Sequence, residues 1–146
     1  MLIFTYGSLM RGLGNHSVML GAGGRFIKEA QIKGILRAYC SFYPGAYAPE
    51  GGAKDTLIMG EIYEVDERGL KALDALESEG IFYHRKVVTT EEGDGVSVYL
   101  LESHKHRGPL IMSGDWRAHK AETDANSPYK RRSFMGHRSW GWWERG

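Results

Sequence analysis

The chain has 146 residues, of which 42% are hydrophobic and 25% are charged, a composition that predicts one globular domain and excludes an intrinsically disordered chain. Its single cysteine, Cys40, excludes an internal disulfide framework and any metal site made of several cysteines, and the net charge of +1 gives no overall argument for a nucleic-acid partner. Because no apolar run approaches the roughly 20 residues that cross a bilayer, and the first residues lack a basic leader, we expect a cytoplasmic protein with no membrane partner.

Short strands and glycine-rich turns are predicted for the first 65 residues, because short apolar runs alternate there with glycines. The predicted elements, in chain order, are a buried strand over residues 2–6, one or two helical turns over 15–20, two strands or one bent strand over 25–39, a loop over 41–54 and a central strand over 56–65. Gly34 is the predicted kink within residues 25–39. The loop is predicted from two prolines and three glycines between residues 41 and 54.

One helix and one hairpin are predicted in the second half of the chain. Asp66 is a favourable N-cap residue, and leucines at every third position predict a helix over residues 67–77. Two β-rich runs, residues 82–90 and 96–102, flank Asp94-Gly95, a dipeptide typical of hairpin turns. Many short strands with one clear helix and no βαβ alternation predict an α+β fold with a mixed or barrel-like sheet.

The first candidate functional motif is Tyr6-Gly7-Ser8-Leu9, where the first predicted strand ends. A strand that ends in a glycine turn exposes successive backbone N–H groups with no Cβ in the way, and such groups bind a carboxylate or an oxyanion well. The same four residues are equally compatible with an ordinary turn between a strand and a loop. Their pattern alone therefore leaves both interpretations open.

Glu77 is the second candidate, because it lies four residues after Leu73 and seven after Leu70 and so shares the apolar face of the predicted helix. Burial on that face would raise the pKa of the carboxyl toward neutrality, as a general acid and base requires. The alternative is that Glu77 ends the helix and turns to solvent. Two rival carboxylates, Glu61 and Glu79, lie off the apolar stripe.

A third motif is Tyr83-His84-Arg85, at the start of a predicted strand. Alternation along a strand puts Tyr83 and Arg85 on one face and His84 on the other. The tyrosine hydroxyl or the guanidinium could orient a nearby carboxylate. Both side chains also commonly serve packing and surface charge, so the motif by itself assigns no role.

No cofactor or metal site is predicted. The glycine-rich stretches lack the G-x-G-x-x-G spacing of a dinucleotide fold, and Ser8 lacks the G-x-S-x-G context of a serine hydrolase. His104 and His106 share one face of a predicted strand, but no second pair of ligands lies near them in the sequence. We therefore expect a protein that holds neither a metal ion nor an organic cofactor.

After Gly114 the hydrophobic pattern has no period, and the last residues combine basic and aromatic side chains. Basic residues interleaved with aromatics can bind single-stranded nucleic acid. The interpretation that we favour is a segment that packs its tryptophans on the domain or on a second subunit of a homodimer, so we expect no nucleic-acid partner. The basic residues are Lys130, Arg131, Arg132, Arg138 and Arg145, and the aromatic residues are Tyr129, Phe134, Trp140, Trp142 and Trp143.

Five motifs occur in an order that is typical of one enzyme family. They are Phe4-Thr-Tyr-Gly-Ser-Leu-Met-Arg-Gly-Leu-Gly-Asn-His16, Gly60-Glu-Ile-Tyr-Glu-Val-Asp66, Leu73-Asp-Ala-Leu-Glu77, Tyr83-His-Arg85 and Ser113-Gly-Asp-Trp116. Together they resemble the γ-glutamylcyclotransferase-like family, with its AIG2-like and γ-glutamylamine cyclotransferase-like members. The resemblance covers residues 2 to about 117. It implies a cyclotransferase-like domain over residues 1–117, followed by a basic, Trp-rich extension over 118–146.

The resemblance also implies a fold and a reaction. The fold would be a small mixed β-barrel with flanking helices and a pocket at one end. The backbone amides of Tyr6, Gly7, Ser8 and Leu9 would bind the carboxylate of a small γ-glutamyl substrate, with Tyr83 beside them, and Glu77 would be the acid and base. The α-amine of the substrate would attack its own side-chain amide carbonyl and yield 5-oxoproline and a free amine. A non-catalytic small-molecule-binding module on the same scaffold is the alternative.

Overall fold

The computed structural model describes residues 1–38, 43–77, 83–101 and 108–125. Cys40, Glu79, the pair His104 and His106, and residues 126–146 of the basic, Trp-rich extension predicted over 118–146 lie outside the described residues. The elements in chain order are β1 (Leu2–Thr5), α1 (His16–Gly21), β2 (Arg25–Ala38), β3 (Pro44–Tyr47), β4 (Thr56–Glu64), α2 (Glu67–Leu76), β5 (His84–Thr89), β6 (Gly95–Leu100) and α3 (Trp116–Ala125). In the described part of the chain, no helix is both long enough and apolar enough to cross a membrane.

Six strands form one mixed sheet in the order β3-β2-β4-β1-β6-β5. β1 pairs with β4 in antiparallel fashion and with β6 in parallel fashion, so β1 lies inside the sheet, between strands that are distant in sequence. The predicted α+β class with a mixed sheet and flanking helices is confirmed. Within the described residues the sheet is not a closed barrel, because β3 and β5 are its edge strands. One backbone hydrogen bond, 2.8 Å from Leu101 N to Ala46 O, joins β3 to the β6 side.

Helices cover both faces of the sheet. Side chains alternate along β1, so Ile3 joins one apolar cluster and Phe4 joins the other. The cluster around Ile3 contains Met19 of α1 and Leu73 of α2, whereas the cluster around Phe4 contains Trp116 of α3. The last residues of β1 are therefore held from both sides, which fixes the position of the turn that follows them.

The helix α2 begins where its sequence predicts. The Asp66 side chain accepts a 2.8 Å hydrogen bond from the backbone N–H of Gly69 and caps the helix. Leu73 on its inner face is fully buried. Glu77 follows as the C-cap residue and keeps helical backbone angles, with φ −82° and ψ 0°. The capped start of α2 and the buried Leu73 together fix the position of Glu77 at the end of the helix.

Gly34 is not the kink of β2. Residues 25–38 form one strand, and its pairing with β4 shifts register between Phe26 and Lys28, which locates the irregularity near the start of the strand. Gly34 instead pairs in register with Thr56. A Cβ at this position would lie 2.7 Å from the carbonyl oxygen of Tyr47, so the glycine allows β3 to approach closely.

Two elements differ from the sequence predictions. The predicted loop over 41–54 contains β3, all four residues of which are buried against the end of β2. The stretch after Gly114, where no period was found, contains α3, whose first residue, Trp116, is buried. In both cases a contact with a distant part of the chain stabilises an element for which the local pattern gives no signal.

Glu61 on β4 is a buried carboxylate that holds α3 and the segment after β1 to the sheet. It is 1% exposed and accepts hydrogen bonds from the backbone N of Arg11 at 2.9 Å, Arg11 Nε at 3.1 Å, Arg117 Nη2 at 3.1 Å and the Tyr63 hydroxyl at 3.0 Å. Burial opposes ionisation of Glu61, but these hydrogen bonds outweigh it and lower its pKa. This rival of Glu77 is therefore part of an ion-pair network.

Glu61→Gln should lower the free energy of unfolding at pH 7 by about 2 kcal/mol, because it removes charge-assisted hydrogen bonds while both arginines can turn to water. A carboxyl whose pKa is lowered by folding stabilises the protein fully above its unfolded pKa of about 4.3, and that contribution is lost as the pH falls through the folded pKa. Urea unfolding of both proteins should give a difference at pH 7 that shrinks toward pH 3. Equal stability at pH 7 would contradict this assignment.

Candidate active site

A small cleft, partly open to solvent, lies where β1, α2 and β6 end. It brings together every residue that the sequence singled out for the site, although these residues come from three separate stretches of the chain. The predicted residues on its wall are Tyr6, Gly7, Ser8, Leu9, Glu77 and Tyr83, and the others are Phe4, Thr5, Tyr43, Pro44 and Tyr99.

The turn over residues 6–9, here named the amide turn, directs its carbonyls into the protein. The carbonyl of Gly7 accepts from Met10 N at 3.1 Å, and that of Ser8 accepts from Asn15 N at 2.8 Å. The backbone N–H groups of residues 7–9 have no protein acceptor within the described ranges. A Cβ on Gly7 would lie 2.9 Å from Pro44 Cγ, so the glycine allows the opposite wall of the cleft to approach.

Two polar residues after the amide turn brace it. Asn15 Nδ2 donates to Ser8 Oγ at 3.0 Å, and His16 Nδ1 lies 3.0 Å from the carbonyl oxygen of Leu9. The hydroxyl oxygen of Ser8 thus accepts from Asn15 with one of its lone pairs, and its own proton can be donated to a ligand. The turn is held rigidly enough to present its N–H groups in one direction.

The side chain of Tyr6 serves the fold of the cleft. Its hydroxyl donates to the carbonyl oxygen of Tyr99 at 2.6 Å and accepts from Ala46 N at 3.3 Å. Burial raises the pKa of this phenol well above its usual value, so the hydroxyl stays protonated. Tyr6 therefore ties β1 to β6 and β3, and what it can offer a ligand is its backbone and the edge of its ring.

Glu77 carries the perturbed carboxyl of the cleft. Burial raises the pKa of Glu77 to about 7, against an ordinary glutamate value of about 4.3. Within the described part of the chain its carboxyl has no ion-pair partner, and no lysine or arginine lines the cleft. The Glu77 side chain lines the cleft and does not turn out into solvent, which was the alternative. A carboxyl with this pKa exchanges a proton readily at neutral pH.

Arg85 does orient a carboxylate, but that carboxylate is Asp74. The guanidinium Nε and Nη2 donate to the two oxygens of Asp74 at 3.0 and 3.2 Å. Tyr99, which the sequence analysis did not single out, donates its hydroxyl to Asp74 at 2.7 Å. Tyr83, the other residue on the Arg85 face of the motif, donates its hydroxyl to the carbonyl oxygen of Pro44 at 3.0 Å. Sequence offered one signal for Asp74, namely its place one helical turn before Glu77.

Within the described residues, no cluster of three or more histidine, cysteine, aspartate or glutamate side chains has a geometry that could hold a metal ion. The polar groups that the cleft offers a ligand include the N–H groups of the amide turn and the perturbed carboxyl of Glu77. An anion can bind at the amide turn, and a proton can be taken up and returned beside it at Glu77.

Comparison with protein families matches residues 3–118 to the family described as gamma-glutamyl cyclotransferase, AIG2-like. The chain belongs to this family. Within it, the gamma-glutamylcyclotransferase family protein YtfP of Escherichia coli K12 is 33% identical over 116 residues, which are 80% of this chain and 96% of that protein. The family match ends at residue 118, the first residue of the predicted basic, Trp-rich extension. The predicted domain boundary at residue 117 stays a prediction.

Further AIG2-like resemblance extends to a human enzyme and to an archaeal structure. Human gamma-glutamylaminecyclotransferase is 36% identical over 98 residues, which are 62% of this chain and 61% of that protein. The crystal structure of an uncharacterized protein from Pyrococcus horikoshii matches with a TM-score of 0.67 and 28% identity, over 86% of this chain and 97% of that one. The fold and the family are thus supported by sequence and by structure.

Proposed function

We propose that the chain is a cyclotransferase that converts a γ-glutamyl amine or amide to 5-oxoproline and releases the amine, with Glu77 as general acid and base. One observation carries the proposal: the carboxyl of Glu77 has a pKa of about 7 and shares a cleft with the N–H groups of the amide turn. The family supports cyclotransferase chemistry, and the name of the human relative supports an amine as the leaving group.

The reaction needs an anion site and a proton carrier. The N–H groups of Gly7, Ser8 and Leu9 would bind the α-carboxylate of the substrate, since consecutive backbone donors suit an anion. Held there, the α-amine and the side-chain carbonyl of the same substrate lie within reach of each other, and fixing two reacting groups in this way supplies a large part of the rate enhancement. The wall residue Tyr83 would lie beside the bound γ-glutamyl group.

Glu77 would act twice on one proton. Its carboxylate takes a proton from the α-ammonium, and the freed amine nitrogen attacks the side-chain amide carbon to form the five-membered lactam. The bond from that carbon to the leaving nitrogen then breaks as the proton on Glu77 passes to this nitrogen. The ring nitrogen, which still carries two hydrogens, gives up one of them as a proton to the released amine. The products are 5-oxoproline and the free amine, and no nucleophile from the protein is consumed. A carboxyl with a pKa near the working pH is suited to both transfers.

The test is a panel of γ-glutamyl amines, γ-glutamyl peptides and ε-(γ-glutamyl)lysine, with 5-oxoproline measured as product. Because the free enzyme must hold Glu77 as carboxylate to accept the proton, kcat/KM should rise about tenfold per pH unit up to pH 7 and level off above it. Binding to members of the panel without release of 5-oxoproline would overturn the enzymatic proposal and favour a binding module.

A further inference from the structure

The Asp74 and Glu77 carboxyls lie one helical turn apart at the end of α2. Side chains three residues apart on a helix have Cβ atoms about 5–6 Å from each other, and Glu77 keeps helical backbone angles. Arg85 of β5 crosses to this helix and engages both oxygens of Asp74, at 3.0 and 3.2 Å. A long guanidinium side chain that reaches residue 74 is thus within reach of residue 77.

The hydroxyl of Tyr99 is influenced by all three of these charged groups, Asp74, Glu77 and Arg85. Its hydroxyl donates to Asp74 at 2.7 Å. Burial raises the pKa of the Tyr99 phenol most, the hydrogen bond to Asp74 raises it further, and the charges of Asp74 and Glu77 add to the rise, while the charge of Arg85 opposes it. Both carboxylates and the guanidinium are therefore close enough to one hydroxyl to act on it. Within the described residues, Arg85 pairs with Asp74, and Glu77 has no ion-pair partner.

We propose that Asp74 is a positioning residue that holds Arg85 away from Glu77, so that the carboxyl in the cleft remains without a counter-ion. The catalytic meaning of this inference rests on the proposed function. An Arg85–Glu77 ion pair would stabilise the carboxylate and leave it a weak base that does not hold a proton for the leaving amine. Asp74 competes for the guanidinium with a bidentate pair and with a hydrogen bond from Tyr99 that keeps it in place.

Besides Asp74 and Arg85, the titratable groups near Glu77 in the described part of the chain are tyrosine hydroxyls. Burial raises the pKa of two of them, Tyr6 and Tyr99, above the usual value of a phenol. By element, the titratable and charged groups among the described residues are Asp74 on α2, Arg85 on β5, Tyr83 before β5, Tyr99 on β6, Tyr6 after β1 and Tyr43 before β3.

The experiment is titration of the Glu77 carboxyl carbon by NMR in the full chain without ligand, its signal identified by its loss in Glu77→Gln. Asp74→Asn should lower the midpoint from about 7 by about one unit or more, as an opposite charge within 4–6 Å does. The double variant Asp74→Asn/Arg85→Met should return the midpoint to the wild-type value. Arg85→Met alone should raise it, because the Asp74 carboxylate then lacks its cation.

Asp94→Asn is the matched control, since Asp94 pairs with Lys28 at 2.7 Å in the turn between β5 and β6, and it should leave the midpoint unchanged. An Asp74→Asn midpoint equal to wild type, or a shift that persists in the double variant, would overturn the inference. If Asp74→Asn does not fold, the Arg85→Met variant is the test. A titration midpoint of Glu77 that is lowered or unchanged in Arg85→Met would then refute the inference. The titration needs no substrate, so absence of 5-oxoproline release would refute the proposed function and leave this result standing.

Discussion

Glu77→Gln should lower kcat by roughly 10²–10⁴-fold, the usual contribution of a positioned general acid and base. Glutamine has nearly the same shape as glutamate and can occupy the same place in the cleft, but it neither accepts a proton from the α-ammonium nor returns one to the leaving nitrogen. The amide turn is untouched, so the dissociation constant for a γ-glutamyl ligand should change only a few-fold. The measurements are 5-oxoproline release and calorimetric binding of the same substrate.

Glu64→Gln provides the matched control. Glu64 lies on the exposed end of β4 and pairs with Arg25 at 2.6 Å, so the same chemical change there should leave kcat unchanged. The role assigned to Glu77 is wrong if Glu77→Gln keeps wild-type turnover on an authentic substrate. It is also wrong if Glu77→Gln loses turnover only because it no longer binds.

Gly60→Ala should lower the free energy of unfolding by about 3 kcal/mol, at the upper end of what overpacking costs. Gly60 lies on β4 opposite the end of β1, where an added Cβ would collide with the Phe4 ring and with the carbonyl oxygen of Thr5. The carbonyl belongs to the backbone and cannot turn aside, so β1 itself must shift. Urea unfolding monitored by tryptophan fluorescence measures the change.

The same substitution should also weaken ligand binding, because Phe4 and Thr5 lead directly into the amide turn and line the cleft. Gly21→Ala is the control, since a Cβ at Gly21 meets nothing within 4 Å and the change should stay within about 0.5 kcal/mol. Gly60→Ala with wild-type stability would mean that β1 and β4 are not as closely packed as described.

The parts of the site that sequence could predict are those encoded by short, local patterns. The leucine spacing of α2 makes Glu77 a candidate, and a strand that runs into glycine makes the amide turn one, although each pattern alone leaves an alternative open that the family resemblance decides against. Asp66 is recognisable as a cap because its contact with Gly69 spans only three residues. In each case the interaction that matters joins residues within a few positions of one another.

The parts that sequence could not predict depend on pairs far apart in the chain. Tyr99 reads as an ordinary strand residue, and only the packing of β6 beside α2 brings its hydroxyl to Asp74, 25 positions earlier. Arg85 was recognised as able to orient a carboxylate, but which carboxylate depends on how β5 crosses α2. The short strand β3 likewise forms because the end of β2 supplies its partner, since its proline and its glycine, Pro44 and Gly45, have little propensity for strand.

Burial of Glu77 gives the stability of the fold and the proposed reaction opposite dependences on pH. The folded chain keeps this proton up to about pH 7, whereas the unfolded chain releases it near its ordinary value of about 4.3. Since the folded state binds more protons between these values, stability falls as the pH rises through this window and stays lower above it, by up to about 4 kcal/mol. The contribution of Glu77 to stability is therefore largest at the pH at which the proposed base is protonated, whereas the proposed reaction needs its carboxylate.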